Sequence, residues 1–255
     1  MKNCWVIGAS SGIGLELAKK YFQEGWNVII SSRRQQILEQ IVANHPKNHH
    51  AQNNFQAQVL DVSDAQSFKI ASQNVFEKFS NIDLVVFAPA IYQPMSLKEF
   101  SIDYAKETIA LNLSSFFDFI ELVIKPMMLQ KSGKIAVIAS VAGYRGLPNS
   151  LAYGASKAGL INLCEGIYPE LKANNLDLAI INPGFVETRL TQKNNFAMPA
   201  IISAKEASNI IFKGLSTNKF EIHFPLKFTL LMKLIRIMPY QFYLKIINKI
   251  YLKNI

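Results

Sequence analysis

The sequence has few cysteines and no long uncharged apolar run. The first shortage argues against a disulfide-stabilised or zinc-binding protein, and the second argues against a membrane-spanning helix. Its two cysteines, Cys4 and Cys164, lie far apart inside apolar segments. This spacing predicts neither a disulfide framework nor a zinc site, and it favours a reducing compartment. His45, His49 and His50 fall in a polar stretch, which indicates a solvated loop rather than metal ligands. No metal site is therefore expected, and no membrane-spanning helix either, because about 18 consecutive apolar residues are needed for one.

Acidic residues are also scarce. The chain of 255 residues holds 27 Lys and Arg against 18 Asp and Glu, a net charge of +9. Residues 220–255 contain six of the cations and one acid, Glu221, so much of the excess lies at the end of the chain. We expect no nucleic-acid partner. The first residues show no charged segment followed by an apolar one, which predicts no signal peptide and a cytoplasmic protein.

A glycine-rich turn follows the first apolar run, Cys4–Ile7. Residues 8–14 have the sequence GASSGIG, and residues 15–24 continue with apolar positions at helical spacing. A strand, such a turn and a helix form a phosphate cradle, because glycine allows close backbone approach and the helix start offers free N–H groups. The pattern indicates nucleotide binding, and the alternative is a plain strand-to-helix turn. The candidate contacts are Gly8, Ser10, Ser11, Gly12, Ile13 and Gly14.

The second predicted strand, 26–31, ends in two serines and two arginines. An acid at this point holds the ribose 2′-hydroxyl of NAD, whereas a basic residue suits the 2′-phosphate of NADP. Neither Asp nor Glu occurs between Trp26 and Gln36. The sequence therefore favours NADP(H) over NAD(H), with Ser32 and Arg33 as the contacts. The alternative is that the arginines only cover a surface turn.

Apolar runs alternate with helical patterns through most of the chain. Such runs suit strands that are covered on both faces of a parallel sheet. The sequence predicts an α/β fold with a single Rossmann-like, doubly wound parallel sheet of about seven strands. We expect one domain over residues 1–225 and a helical tail over 226–255. The predicted strands are 4–7, 26–31, 55–60, 83–88, 134–139, 176–181 and 220–224.

Four polar side chains are candidates for catalysis. Tyr153 and Lys157 lie four residues apart on a predicted helix, where they share a face. A nearby cation lowers the pKa of a phenol by about 1–3 units, towards the range suited to acid–base catalysis, although such pairs also arise by chance. Ser140 ends the fifth predicted strand, at the sheet edge where ligands bind. Asn112 lies in an apolar part of a long predicted helix, 101–128, and either needs a buried partner or marks a helix kink.

These motifs together resemble the short-chain dehydrogenase/reductase family over residues 3–225. The turn GASSGIG is similar to the cofactor turn of that family. The resemblance implies that Asn112, Ser140, Tyr153 and Lys157 form the catalytic tetrad and that Asp61 contacts the adenine. It also implies that Pro183, Gly184 and Thr188 hold the nicotinamide amide and the pyrophosphate. Further cofactor contacts are assigned to Val62, Ala88, Pro89, Val186, Tyr153 and Lys157.

Two segments depart from the family pattern. The threonine before the first glycine is replaced by Ile7, and Asn-Asn-Ala-Gly after the fourth strand is replaced by residues 87–90, Phe-Ala-Pro-Ala. Replacing both partners of a buried polar contact by apolar groups is nearly neutral. We therefore expect Ile7 and Phe87 to pack together, and we expect Pro89 to remove an N–H group beside the cofactor.

The resemblance implies reversible hydride transfer between NADP(H) and a carbonyl or secondary alcohol. Tyr153 exchanges the proton, Lys157 lowers its pKa and holds the nicotinamide ribose, Ser140 binds the substrate oxygen, and Asn112 positions a water. A small-molecule substrate, apolar in character, follows from the residues near 90–95, 141–147 and 185–196. Residues 185–199 are expected to form a mobile lid. The alternatives are a non-catalytic NADP(H) sensor and a membrane-associated interaction protein.

The tail contains two predicted amphipathic helices separated by Pro239. Basic residues lie among apolar ones at helical spacing, which is typical of elements that bind the surface of a membrane. Packing onto the domain or onto a sister subunit is the alternative. The tail thus gives two expectations, a peripheral contact at the inner face of a membrane and a packed extension. The family resemblance further implies a homodimer or homotetramer built on the helices around Asn112 and Tyr153.

Overall fold

The computed structural model describes residues 1–45, 53–194 and 196–252 of the chain. Within these ranges nine strands follow one another along the sequence. His49 and His50 lie outside the described residues. The strands are β1 (Asn3–Ile7), β2 (Asn27–Ser32), β3 (Phe55–Val59), β4 (Leu84–Phe87), β5 (Lys134–Ile138), β6 (Asp177–Pro183), β7 (Val186–Glu187), β8 (Ile202–Ser203) and β9 (Glu221–Phe224).

Seven of the strands form one parallel sheet in the order β3-β2-β1-β4-β5-β6-β9. The prediction of a doubly wound parallel sheet is therefore confirmed. The strand order reverses between β1 and β4, and a sheet of this kind binds its ligand outside the carboxyl ends of the strands at that point. The two remaining strands, β7 and β8, pair with each other beyond the edge of the sheet.

The helices lie on both faces of the sheet. They are α1 (Gly12–Gln23), α2 (Gln35–Ala43), α3 (Ala65–Lys78), α4 (Ile102–Ile109), α5 (Ser115–Phe119), α6 (Lys125–Gln130), α7 (Leu151–Ala173), α8 (Ala204–Leu215), α9 (Leu226–Ile237) and α10 (Tyr240–Leu252). Helix starts follow the capping residues of the sequence. The side chain of Asp64 accepts from two backbone N–H groups of α3, and Ser203 with Glu206 forms a capping box on α8.

The predicted helix over 101–128 is a continuous helical segment with two π-helical turns, at Ala110–Ser114 and Ile120–Ile124. Single π turns are frequent at functional sites. A proline inside a helix usually bends or breaks it, but α7 contains Pro169 and continues to Ala173. The residue is exposed, so the carbonyl that loses its helical N–H partner faces water and the helix tolerates the proline.

Two apolar cores cover the two faces of the sheet, and each strand contributes alternate residues to them. Ile7 and Phe87 belong to one core, and the residues that precede them in their strands, Val6 and Val86, belong to the other. Ile7 and Phe87 are also direct neighbours in the register of β1 and β4, as the predicted apolar pair requires. Burial on both faces explains why the central strands β1, β4 and β5 show no alternation of apolar and polar residues, whereas the outer strands β3 and β9 do alternate.

Candidate active site

Ser140 and Tyr153 meet at the carboxyl end of β5. The Ser140 hydroxyl accepts from the N–H of Ala142 at 3.1 Å, which fixes the start of the loop after the strand. The Tyr153 phenol lies close enough to this hydroxyl for Ser140 to exert a lowering effect on its pKa. This loop lies directly on α7, since a Cβ atom on Gly143 would come within 2.7 Å of the Lys157 backbone. Gly143, which the sequence did not single out, therefore permits the approach of the serine to the tyrosine.

Burial controls the protonation of Tyr153 and Lys157. It raises the pKa of Tyr153 to about 12, against the lowering effect of Ser140. It lowers the pKa of Lys157, whose side chain is 1% exposed, to about 7. The lysine Nζ lies 5.8 Å from the centre of the Tyr153 ring and donates to the Ile138 carbonyl at 2.9 Å. Desolvation is the main cause of both shifts, and Lys157 is not among the causes of the Tyr153 shift, so the lowering of the tyrosine pKa by the lysine stays a prediction.

Asn112 lies in the first π-helical turn and is fully buried. Its side-chain oxygen accepts from the N–H of Ile91 at 2.8 Å, and its amide nitrogen donates to the Ile91 carbonyl at 2.9 Å. The amide nitrogen also donates to the hydroxyl of Ser156 at 3.3 Å. The buried partner that the sequence required is therefore the backbone after β4. Asn112 joins that loop to α7 beside the tyrosine.

The glycine-rich turn packs against two other predicted cofactor segments. A Cβ atom on Gly8, where φ is +88°, would lie 2.7 Å from the Ala88 carbonyl carbon and 2.8 Å from the Pro89 nitrogen. A Cβ atom on Gly12 would lie 3.2 Å from the methyl carbon of Thr188. Ser11 precedes α1 without capping it by its side chain, so the first N–H groups of the helix have no side-chain cap. The turn forms the narrow backbone cradle that the sequence predicts.

Arg34 reaches across this turn. Its guanidinium donates to the Ser10 hydroxyl at 2.5 and 3.1 Å and to the Ser11 hydroxyl at 3.2 Å. Arg33, the predicted contact, is exposed beside it, and Ser32 accepts from the backbone N–H of Arg34 at 3.1 Å. Burial and the positive charges of Arg189 and Arg33 lower the pKa of Arg34. The sequence does not show which of the two adjacent arginines faces the turn. The direction of the chain at the end of β2 determines that it is Arg34.

The other predicted cofactor residues lie after β3, at the start of α1 and around the end of β6. Asp61 accepts from the N–H of Ser63 at 2.9 Å and so shapes its own turn, and the adjacent Val62 is buried. Beyond β6, a Cβ atom on Gly184 would lie 2.8 Å from the Phe228 ring of α9. The segment after it is braced by Thr191, whose hydroxyl donates to the carbonyl of Val186 at 2.7 Å. Ile13 and Gly14 lie in the first turn of α1, and Pro183 ends β6.

Aromatic side chains stand on the open side of Tyr153. The ring of Tyr92 lies 4.8 Å from that of Tyr153, and its hydroxyl donates to the Asn194 side chain at 2.8 Å. Phe185 and Phe196 have ring centres 6.0 Å apart. The bond from Tyr92 to Asn194 links the predicted lid segment to the ring beside Tyr153. Tyr144, also expected to line this space, is buried and donates instead to the Glu221 carboxylate.

Lys157 makes the stability of the fold depend on pH. Its pKa is about 7 in the folded protein, against about 10.4 in an unfolded chain. Between these values the unfolded chain binds one proton more, so raising the pH through this window stabilises the fold. Relative to Lys157→Met, we expect the free energy of unfolding to rise by up to about 1.4 kcal/mol per pH unit. Urea denaturation of both proteins across the window measures this difference.

The comparison with Lys157→Met removes the contributions of the other titrating groups to the pH dependence of stability, because both proteins share them. Burial raises the pKa of both cysteine thiols, Cys4 and Cys164, which gives the opposite slope at alkaline pH in either protein. Parallel stability curves for the two proteins would mean that Lys157 titrates normally in the folded state.

Known proteins are similar to this chain in sequence. The family model for short chain dehydrogenases matches residues 2–198. An uncharacterized oxidoreductase of Myxococcus xanthus is 28% identical over 234 residues, covering 92% of this chain and 91% of the relative. The 3-oxoacyl-acyl-carrier-protein reductase FabG of Thermotoga maritima is 30% identical over 192 residues, covering 75% of this chain and 77% of the relative.

Solved structures agree in fold. An alcohol dehydrogenase from the archaeon Thermococcus sibiricus, complexed with 5-hydroxy-NADP, superposes with a TM-score of 0.79 at 22% identity, covering 88% of this chain and 96% of that one. A short-chain dehydrogenase from Sphingobium yanoikuyae in complex with NADPH gives 0.79 at 19% identity, with 89% of each chain covered. Since the family model spans most of the chain, the protein belongs to the short-chain dehydrogenase/reductase family of oxidoreductases.

Proposed function

We propose that this enzyme reduces the carbonyl group of an apolar small molecule, and oxidises the matching alcohol, with NADP(H) as its cofactor. The observation that carries the proposal is the placing of Ser140 and Tyr153 together at the end of β5, beside the buried Lys157. When bound, the cofactor supplies or accepts the hydride. The protein must bind the substrate oxygen and move one proton to or from it.

Tyr153 is the proton donor. Its phenol, with a pKa of about 12, holds its proton at neutral pH and is in the form that carbonyl reduction needs. Ser140 orients the same carbonyl oxygen through its hydroxyl. Lys157 has a pKa of about 7, so it is partly charged at neutral pH and stabilises the phenolate that forms as the proton leaves. Asn112 positions these groups by fastening the loop of Ile91 to the helix that carries them.

The crevice fits a dinucleotide phosphate group. Gly8 and Gly14 stand at the two ends of the turn. An added Cβ atom would lie 2.7 Å from a backbone atom at Gly8 and 2.5 Å from one at Gly14, so a larger residue at either position would displace the turn. The uncapped start of α1 offers N–H groups to an anion. Arg34, Arg33 and the nearby Arg189 supply positive charge at the end of β2. This charge, without an acid beside it, supports NADP(H) over NAD(H).

Arg34→Ala should lower the affinity for NADPH by about tenfold or more, because a charge-assisted hydrogen bond contributes about 1.5–3 kcal/mol. NADH lacks the 2′-phosphate, so its affinity should change little. Fluorescence titration with both nucleotides measures the ratio. Arg33→Ala tests the neighbouring arginine, and Lys213→Ala, an exposed cation on α8, is the control. Equal losses of NADPH and NADH affinity would contradict the 2′-phosphate assignment.

The substrate side of the site is apolar. The ring of Tyr92 contacts that of Tyr153, and Phe185 and Phe196 of the predicted lid segment contact each other, so these segments offer aromatic rings rather than charges. A panel of ketones, from short polar ones to aromatic and long-chain ones and a 3-oxoacyl thioester, tests the function through oxidation of NADPH. We expect turnover that increases with the apolar size of the ketone. NADPH binding without turnover of any member would indicate a sensor instead.

The enzyme assembles as a homodimer or homotetramer through the helices around Asn112 and Tyr153. A hollow of about 340 Å³ on α4 supports this assembly, since its lining is mostly apolar. Phe117 on α5 is 56% exposed and Ile102 on α4 is 53% exposed, so the face offers side chains that a sister subunit would cover. The hollow is lined by Ile102, Ala105, Lys106, Ile109, Ala110 and Ser114.

A further inference from the structure

The two tail helices carry apolar side chains on their outward face. On α9, Leu230, Leu231 and Leu234 are each more than half exposed, and Ile237 is 77% exposed. On α10 the exposed apolar side chains include Tyr240, Phe242, Leu244, Ile246, Ile250 and Leu252. An exposed apolar patch of this kind marks an interaction surface. We call these residues of α9 and α10 the tail face.

The inward side of α9 is also apolar. Met232 is buried, the ring of Phe228 lies 5.5 Å from that of Phe185, and Ile235 packs against the core of the sheet. The sequence predicts amphipathic helices with basic polar faces. In α9, apolar residues occupy both the inner and the outer sides. A helix that is apolar on nearly all sides needs cover on its outer face as well.

The cations of the tail fall into two groups. Lys233 bonds to Glu221 at 2.5 Å and Arg236 to Glu165 at 3.3 Å, so these two hold α9 on the domain. Lys227, Lys245 and Lys249 are exposed, and none of them forms an ion pair within the described part of the chain. The second group lies beside the tail face. The positive charge of these three lysines is therefore available to a partner.

We infer that the tail face docks on an anionic lipid bilayer. Leucine, isoleucine and aromatic side chains enter the boundary of the acyl chains, and adjacent lysines meet anionic headgroups. A second copy of the chain would bring the same lysines together, because a symmetric interface places the same surface on both sides. In the described ranges no helix is long and apolar enough to cross a bilayer, so the helices lie along its surface.

Arg145 fixes this face relative to the active site. Its guanidinium donates to three carbonyl oxygens at the end of α9, those of Ile235 at 3.1 Å, Arg236 at 2.9 Å and Met238 at 2.6 Å. It also lies 4.2 Å from the ring centre of Tyr243, which is buried in α10 and donates to the carbonyl of Gly146. The loop of Arg145 follows Ser140 by a few residues. The tail is therefore attached to the wall of the site.

A second contact joins the tail to the segment after β6, where the ring of Phe228 lies against Gly184 and Phe185. A bilayer bound at the tail face would thus lie at a fixed orientation to the opening above Tyr153. On the basis of the function proposed above, the substrate class is a membrane-dissolved lipid that carries a carbonyl group. It would pass from the bilayer to the apolar side of the site.

Flotation of the full chain with vesicles tests the inference. We expect binding to phosphatidylcholine vesicles that contain phosphatidylglycerol, and about tenfold or more weaker binding to phosphatidylcholine alone. The double variant Leu231→Gln/Leu234→Gln should bind the anionic vesicles about tenfold or more weakly, as should Lys245→Glu/Lys249→Glu. Leu129→Gln is the matched control, because Leu129 is 85% exposed on α6, away from the tail. It should bind like the wild type.

Two outcomes would overturn the inference. One is equal flotation of the wild type and the tail variants. The other is a concentration-dependent dimer that Leu231→Gln/Leu234→Gln abolishes, which would assign the tail face to a second copy. Turnover of a water-soluble ketone should be the same in all variants, whereas turnover of a long-chain ketone dissolved in anionic vesicles should fall with binding. Failure of the wild type to reduce the water-soluble ketone would instead overturn the proposed function.

Discussion

Replacing Tyr153 by phenylalanine is expected to lower the turnover number by about 10²–10⁴-fold, the usual contribution of a positioned acid. The change removes one oxygen atom and keeps the ring, whose contact with Tyr92 at 4.8 Å maintains the shape of the site. Cofactor affinity should change by less than the turnover number, because the cradle of the glycine-rich turn and Arg34 lie on other segments. Steady-state kinetics and nucleotide titration on the same preparation measure both quantities.

Tyr92→Phe is the matched control for this variant. It removes the same atom from the neighbouring ring and breaks one hydrogen bond to Asn194. We expect its turnover number to stay within about tenfold of the wild type, since Tyr92 is not the proton donor. Equal losses in the two variants would mean that the shape of the aromatic cluster, rather than the proton of Tyr153, limits the rate.

The substitution Gly8→Ala should lower both the stability and the cofactor affinity of the enzyme. The backbone of Gly8 has φ of +88°, and a methyl group there would lie within 2.9 Å of three backbone atoms of residues 88–89. A left-handed conformation costs an L-residue about 1–2 kcal/mol, and overpacking of a filled space adds about 1–3 kcal/mol. We therefore expect the free energy of unfolding to fall by about 2–5 kcal/mol, as measured by urea denaturation.

Gly25→Ala separates the two parts of this cost. Gly25 has nearly the same φ, +83°, but nothing lies within 4 Å of an added Cβ atom. Its variant should lose only the conformational part, about 1–2 kcal/mol, and should bind NADPH normally. If both variants lost the same stability and affinity, the close approach of Gly8 to residues 88–89 would have no role in the cradle.

The sheet was predictable because its strands are buried on both faces. Runs such as Cys4–Ile7 are uninterrupted by polar residues, which makes the strand easy to identify. The predicted strand ends therefore agree with the structure within about two residues. The glycine spacing of the turn and the Tyr153 and Lys157 pair were also visible, since local spacing encodes both. Asn112 was recognisable as a buried amide that needs a partner.

Features that depend on contacts between distant segments were not predictable. The inward turn of Arg34 rather than Arg33 is decided by the direction in which β2 ends. The close packing of Gly143 on α7 requires the positions of two elements. The outward face of α9 could not be assigned from periodicity, because apolar residues follow helical spacing on both of its sides. Desolvation of Lys157, which lowers the pKa of its ammonium group, also appears only in the packed structure.

The contact of Gly12 with Thr188 has a consequence for the synthesis of the protein. The cradle begins at residue 8 but is closed by a segment 176 residues beyond Gly12, counted from 12 to 188. A ribosome must therefore release most of the sheet before the nucleotide crevice is complete. The cofactor binds only the finished site, so it stabilises the native state by mass action but gives no help to early folding intermediates. During translation, nucleotide binding would mark the end of folding rather than its beginning.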